Sequence, residues 1–322
     1  MTRFSEKEQR VAAFALLGFG AAAAIPLVDD GYYLSLSVNI AMYAVLCTAW
    51  TLFSGPTHYI SLATAAFFGI GTYTVGLGID SLPFPLLLAI AGIAAAILAG
   101  LVGVATLRLS GVYFVIFTLG LAELVRQVVT WLQTNFTTSV GLYVFTDMTE
   151  KHIFWMLLAL AAIVYATGWL INRSRLGFAM RIIGNDETVA RHVGIDVARS
   201  KVILFMVSGA FIGITGAILA PRFAYVEPPS AFNPVISFQV VIMALLGGTG
   251  RLWAPLLGVI PFTILFDRIS SSFPNHTSLL IGVAFMAIVY FLPRGVIGLI
   301  EDFRKPRAGK AGTVAPVPEA AE

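Results

Sequence analysis

Two pairs of opposite charge stand inside apolar stretches of this 322-residue chain: Glu123 with Arg126, and Asp267 with Arg268. Glu123 and Arg126 are three residues apart, so a helix places them on one face. Such a pair can form a polar spot on a solute path. It can equally be a self-neutralising pair where a lone charge would not be tolerated. The second reading is favoured, with Gln127 alongside. Asp267 and Arg268 fall near the end of their run, where long side chains reach back to water. Nucleophile and metal chemistry find no footing. No two of the four histidines, His58, His152, His192 and His276, have ligand spacing, and the one cysteine, Cys47, lies in an apolar run. No H-E-x-x-H, no G-x-S-x-G and no working pair of carboxylates occurs, nor any G-x-x-x-x-G-K-S/T loop for a nucleotide phosphate. The expectation is a protein that is not an enzyme and holds no cofactor. If it is driven by ATP, another chain hydrolyses it.

Residues 172–201 form the one long charged interval in the middle of the sequence, with Arg173, Arg175, Arg181, Arg191, Arg199 and Lys201 against Asp186, Glu187 and Asp196. Each charge costs about 2.5–3.5 kcal/mol at the centre of a membrane-spanning helix, so this interval stays out of lipid. Its excess of Arg and Lys places it in the cytoplasm. Ala179, Ile182, Ile183, Val189, Ala190 and Val193 recur at helical spacing, interrupted by Gly184-Asn185. That pattern predicts two short amphipathic helices joined by a turn. A docking element for a soluble partner fits better than a plain solvated connection.

The elements around it are apolar. The chain is 58% hydrophobic and 11% charged, with mean hydropathy +0.88, which marks an integral membrane protein. The runs are long and continuous, so helices are expected rather than a barrel. They cover residues 11–28, 33–53, 59–79, 83–107, 111–132, 152–171, 202–220, 235–246, 252–269 and 278–292. The fold class expected is thus an all-α membrane protein of about ten spans. With the N-terminus inside, nearly all Arg and Lys fall on one side, which predicts that both termini are cytoplasmic. Residues 1–10 then form a cytoplasmic head, 11–303 the transmembrane domain, and 304–322 a disordered tail. A charged head before an apolar run also fits a secretory leader, but Glu6 and Glu8 dilute the charge and further spans follow at once. The net charge of +3 gives no reason to expect nucleic acid as a partner. Runs 59–79 and 235–246 are weak spans, the first broken by glycine and the second short. Either suits a half-crossing helix, which is tolerated only inside protein. In run 59–79, Ala63, Ala65, Ala66, Gly69, Gly71 and Gly76 permit close helix contact. Ser61, Thr64, Thr72 and Thr74 could instead line a polar passage.

Four segments carry a resemblance. Residues 61–73, S-L-A-T-A-A-F-F-G-I-G-T-Y, are similar to a family pattern S-L-G-H-A-A-F-F-G-I-G-A-Y. Ser110-Gly111-Val112-Tyr113-Phe114 with Thr118-Leu119 resembles the opening of its fifth span. Arg175-Leu176-Gly177 through Arg181, then Glu187, Val189-Ala190, Gly194, Lys201 and Phe205, resembles its cytoplasmic loop and the next helix. Gly247-Gly248-Thr249-Gly250 with Pro255 and Gly258 resembles its G-G-x-G turn. The family is the LivM-type permease of branched-chain amino-acid ATP-binding-cassette (ABC) importers, with relatives for urea, amides and other small solutes. Ala63 and Thr64 depart from its Gly-His, and residues 136–142 depart from an outer loop close to L-T-G-G-x-x-G-L.

The resemblance implies half of a translocation path for a small solute, branched-chain amino acids first, in the bacterial cytoplasmic (inner) membrane. The implied partners are a second related permease, two cytoplasmic ATPase subunits and an external solute-binding protein. It implies an ATPase-coupling loop carrying Arg181, Asp186, Glu187, Ala190, Arg191 and Gly194, where Ala190 and Gly194 leave room for close approach of the partner. The candidate path residues are Ser61, Thr64 and Thr72, with Glu123 and Arg126. The rival reading is a secondary transporter driven by an ion gradient. It would need inverted repeats and a midplane carboxylate. Glu123 is the one candidate, and Arg126 neutralises it.

Overall fold

The computed structural model describes residues 31–107, 111–136 and 141–276, with isolated positions between 19 and 26 and between 279 and 290. The expected head and tail lie outside the described residues, as do most of runs 11–28 and 278–292. The helices are α1 Tyr32–Thr57, α2 Thr64–Gly78, α3 Phe84–Thr106, α4 Val112–Phe136, α5 Glu150–Arg173, α6 Arg175–Asn185, α7 Glu187–His192, α8 Val197–Leu219, α9 Pro228–Ala231, α10 Pro234–Gly247 and α11 Pro255–Ser272. Among the described residues, six helical segments are long and apolar enough to cross a membrane: Tyr32–Thr57, Phe84–Thr106, Val112–Phe136, Glu150–Arg173, Val197–Phe223 and Pro228–Gly247.

Run 59–79 shrinks to α2, whose 15 residues extend about 22 Å at 1.5 Å each. That falls short of the ~30 Å hydrocarbon core. The stretch before it, residues 58–63, is not helical, and its polar backbone is served by side chains. Trp50 Nε1–H donates to the Ser61 carbonyl at 2.8 Å. Leu62 N–H donates to Thr118 Oγ1 of α4 at 3.0 Å, and Ala65 N–H to Ser237 Oγ of α10 at 2.9 Å. The first N–H groups of a helix have no partner within it. Neighbouring helices supply those partners here, so the short helix can start inside the protein.

α2 is buried on nearly every face, as expected for a helix that is apolar all round. It lies against α3, α4, α8 and α10. Its closest approach is to α8: a Cβ on Gly71 would stand 1.8 Å from the Gly213 carbonyl oxygen, and one on Gly216 would stand 2.1 Å from that of Phe68. Only hydrogen side chains permit backbones this close.

Hydrogen bonds show which helix ends share a side. Tyr32 at the start of α1 donates to Asp267 near the end of α11. Arg222, just after α8, donates to Asn39 at 2.7 Å and Ser35 at 2.6 Å, and pairs with Glu150 at the start of α5 at 3.3 Å. At the other end of α1, Tyr59 bonds Glu187 of α7, and Gly55 and Gly184 lie close against the carbonyls of Thr249 and Pro56. Contacts near residues 32, 150, 222 and 267 thus gather at one end of α1, and those near residues 59, 184, 187 and 249 at its other end. One feature of the first side had no counterpart in an all-helical expectation. Leu142–Tyr143 (β1) pairs antiparallel with Tyr225–Val226 (β2), Leu142 opposite Val226.

Candidate functional site

The charged interval folds into two short helices, α6 and α7, as predicted, but the break falls at Asp186, with Gly184-Asn185 still inside α6. The corner from α5 into α6 is sharp. Ser174 caps α6, accepting from Gly177 N–H at 3.3 Å, and a Cβ on Gly177 would lie 2.2 Å from the Ile171 carbonyl. Asp186 caps α7, accepting from the N–H groups of Thr188 at 2.7 Å and Val189 at 3.3 Å. Those two backbone donors, Thr188 first, hold the Asp186 carboxyl below its ordinary range. Gly194 ends the helix at φ +80°. Its N–H donates to Arg191 carbonyl at 3.1 Å and that of Ile195 to Ala190 carbonyl at 3.0 Å, the paired bonds of a Schellman stop.

This geometry corrects one expectation. Ala190 is fully buried against its own chain, so it offers no room to a partner, and Gly194 is needed for the helix stop. Arg181 is exposed and folds back along the corner. It donates to the carbonyls of Asn172 at 2.9 Å and Gly177 at 3.3 Å, serving the C-terminal end of α5. Glu187 accepts from the Tyr59 hydroxyl at 3.1 Å and from Lys201. Arg191 extends a mostly exposed side chain, with Nη2 3.7 Å from Glu187. The helical periodicity had also merged two faces. Ala179, Ile183 and Ala190 are buried with Met180, whereas Phe178, Val189 and Val193 are 62%, 51% and 61% exposed. The exposed apolar surface of the hairpin is this trio, with basic residues beside it. Val189 and Val193 were visible in the pattern, but nothing in it marked them as the outward side.

Ser61, Thr64 and Thr72 are all buried by the chain's own helices. Ser61 Oγ accepts from Ala63 N–H at 3.3 Å, and Thr72 Oγ1 bonds the carbonyls of Phe68 at 3.0 Å and Gly216 at 3.1 Å. Thr64 Oγ1 has no hydrogen-bond partner. None of the three borders an open face. Glu123 and Arg126 do. Arg126 Nε donates to Glu123 Oε2 at 2.9 Å, its Nη2 reaches Oε1, and Gln127 donates to the same oxygen at 2.9 Å. The pair forms as expected, yet its side chains are 51% and 27% exposed.

α4 therefore has two faces. The inner one, with Phe114, Thr118, Leu121, Ala122, Val125 and Gln133, is buried. Thr118 holds the approach to α2, and Gln133 accepts from the Tyr73 hydroxyl of α2 at 3.2 Å. The outer face carries Glu123, Arg126, Gln127, Thr130 and Thr134 at helical spacing. Sequence reading found the ion pair but not the two threonines that prolong it. Of the six long apolar segments α4 is the least buried.

Comparison with known proteins gives the context. The family described as "Branched-chain amino acid transport system / permease component" matches residues 32–289. The high-affinity branched-chain amino acid transport system permease protein LivM of Salmonella typhimurium is 26% identical over 95% of this chain and 79% of its own length. Its Escherichia coli counterpart is 27% identical over the same shares. A guanosine ABC transporter permease protein of Bacillus subtilis is 31% identical over 41% of this chain and 38% of its own. Those relatives are transport components rather than enzymes. A match that begins with α1 and runs past α11 takes in both the basic hairpin and the polar face of α4, and this chain belongs to the family of branched-chain amino-acid transport system permease components.

Proposed function

We propose that this chain is the permease subunit of an ABC importer for branched-chain amino acids, forming one half of the translocation path in the bacterial cytoplasmic membrane. A second, related permease forms the other half. Two ATPase subunits engage the α6–α7 hairpin on the cytoplasmic side, and an external binding protein delivers the solute. About ten spans with both termini cytoplasmic complete the topology.

The observation that carries this reading is the hairpin. Phe178, Val189 and Val193 expose an apolar surface among basic side chains at one end of a helical bundle. A short helix of that kind seats in an apolar groove, with charge pairs at the rim. The path is assigned to the outer face of α4, because a charged pair within a membrane faces protein or water rather than lipid. Glu123 is held by Arg126 and Gln127, which leaves it poorly suited to carry protons for a gradient-driven mechanism. The test is leucine uptake by the complete importer in proteoliposomes, with Phe178→Asp and Val193→Asp. Loss of both ATPase co-purification and ATP-driven uptake is expected. Undiminished uptake by the double variant, or uptake driven by an ion gradient without ATPase subunits, contradicts the reading.

A further inference from the structure

Lys201 lies one turn into α8, and only 1% of its surface is exposed. Nothing in the docking or path assignments uses it. Its Nζ pairs with Glu187 Oε1 of α7 and stands 4.0 Å from the centre of the Tyr59 ring. The Tyr59 hydroxyl donates to the same Glu187 oxygen at 3.1 Å. Glu187 is thus shared by a buried cation and a phenol from two other segments. The Tyr59 ring meets Phe114 at the start of α4 edge-on, with centroids 5.3 Å apart. Three residues on, Leu62 N–H is held by Thr118, one turn further along α4. The 58–63 connector is therefore gripped on one side by the hairpin's carboxylate and on the other by α4.

A buried ion pair is an uncertain source of stability, since desolvation offsets its attraction. What it does impose is position. An apolar contact slides at little cost, but Lys201 cannot part from Glu187 without leaving a charge unpaired in the interior. Displacement of α7 must therefore carry Lys201, Tyr59 and the connector with it. Tyr59 passes that displacement to Phe114 and hence to the helix whose outer face holds Glu123 and Arg126. We propose that Lys201 and Tyr59 are positioning residues that, through Glu187, link the α6–α7 hairpin to the 58–63 connector and to α4, so that movement imposed at the hairpin reaches the path. This rests on the hairpin's being the ATPase dock.

The test is a double-substitution cycle in the reconstituted importer, with Tyr59→Phe, Glu187→Gln and the two combined. Three quantities are read: leucine taken up per ATP hydrolysed, ATPase co-purification, and thermal stability. Tyr59→Phe removes one oxygen and keeps the ring on Phe114 and Lys201. Uptake per ATP is expected to fall roughly 5-fold or more in each single variant, with assembly retained and the double variant no worse than Glu187→Gln. A ratio unchanged in Tyr59→Phe overturns the proposal. So does a double variant whose loss is the product of the two single losses, or a Tyr59→Phe protein that fails to assemble, since the residue is then only structural. The docking assignment fails separately, through retained co-purification of Phe178→Asp with Val193→Asp.

Discussion

Asp186 carries one of the smallest and most testable features of the molecule. Its carboxylate accepts from Thr188 and Val189 N–H groups at the start of α7, and these donors depress its pKa. A carboxyl depressed on folding stabilises the fold above its unfolded pKa, and that contribution is lost as pH falls through the folded value. The protection of α7 amides, taken against the intrinsic exchange rate at each pH, should therefore fall as the pH drops below the ordinary carboxylate range. Asp186→Asn retains a cap acceptor but has no carboxyl to titrate, so its exchange should lack this acid step. An identical acid step in Asp186→Asn would show that another group is responsible. Spacing in the sequence made some residue roles legible and hid others. Glu123 and Arg126 meet because a helix places residues three apart on one face. Lys201 and Glu187 are 14 apart and meet only because α7 folds back beside α8, which no helical or strand period encodes. Arg181 reads as a free surface charge until the α5–α6 corner brings it to the Asn172 carbonyl.

Among the elements, α2 depends most on what it lacks. With Gly71 and Gly216 at the α2–α8 contact, the backbones approach until Gly71 touches the Gly213 carbonyl. Gly71→Ala puts a methyl group 1.8 Å from that oxygen, which neither backbone can clear without moving. Overpacking of this kind costs about 3 kcal/mol, and Gly71→Ala is expected to lower the unfolding temperature in detergent. Gly250→Ala is the control, because nothing lies within 4 Å of that position. Equal behaviour of the two would refute the packing. That run 59–79 is a weak span was readable, but its glycines lie inside α2, and the helix is short because residues 58–63 are not helical. Its capping by Thr118 and Ser237 was not readable, because both lie far along the chain on other helices. The β1–β2 ribbon escaped notice for a related reason: two residues per strand give no alternation to detect. Ala190 was given to the wrong face because a hairpin with apolar residues both inside and outside has no single stripe.

At the scale of the whole molecule, composition alone marks a helical membrane protein, and six helical segments long and apolar enough to cross a membrane agree with it. The polar outer face of α4 was only half visible, as an ion pair. Its meaning depends on α4 being the least buried span, and that is a property of the assembled bundle. In one chain this face is open. Coupling to cytoplasmic ATPase subunits requires the hairpin to project from the cytoplasmic side of the membrane. Val193 is exposed and the single native cysteine, Cys47, is buried, so a Val193→Cys variant reports that position alone to a membrane-impermeant thiol reagent. Labelling is expected in inside-out vesicles stripped of ATPase subunits, protection when those subunits are restored, and none in intact cells. Labelling of Val193→Cys from outside intact cells would place the hairpin on the wrong side and contradict the account.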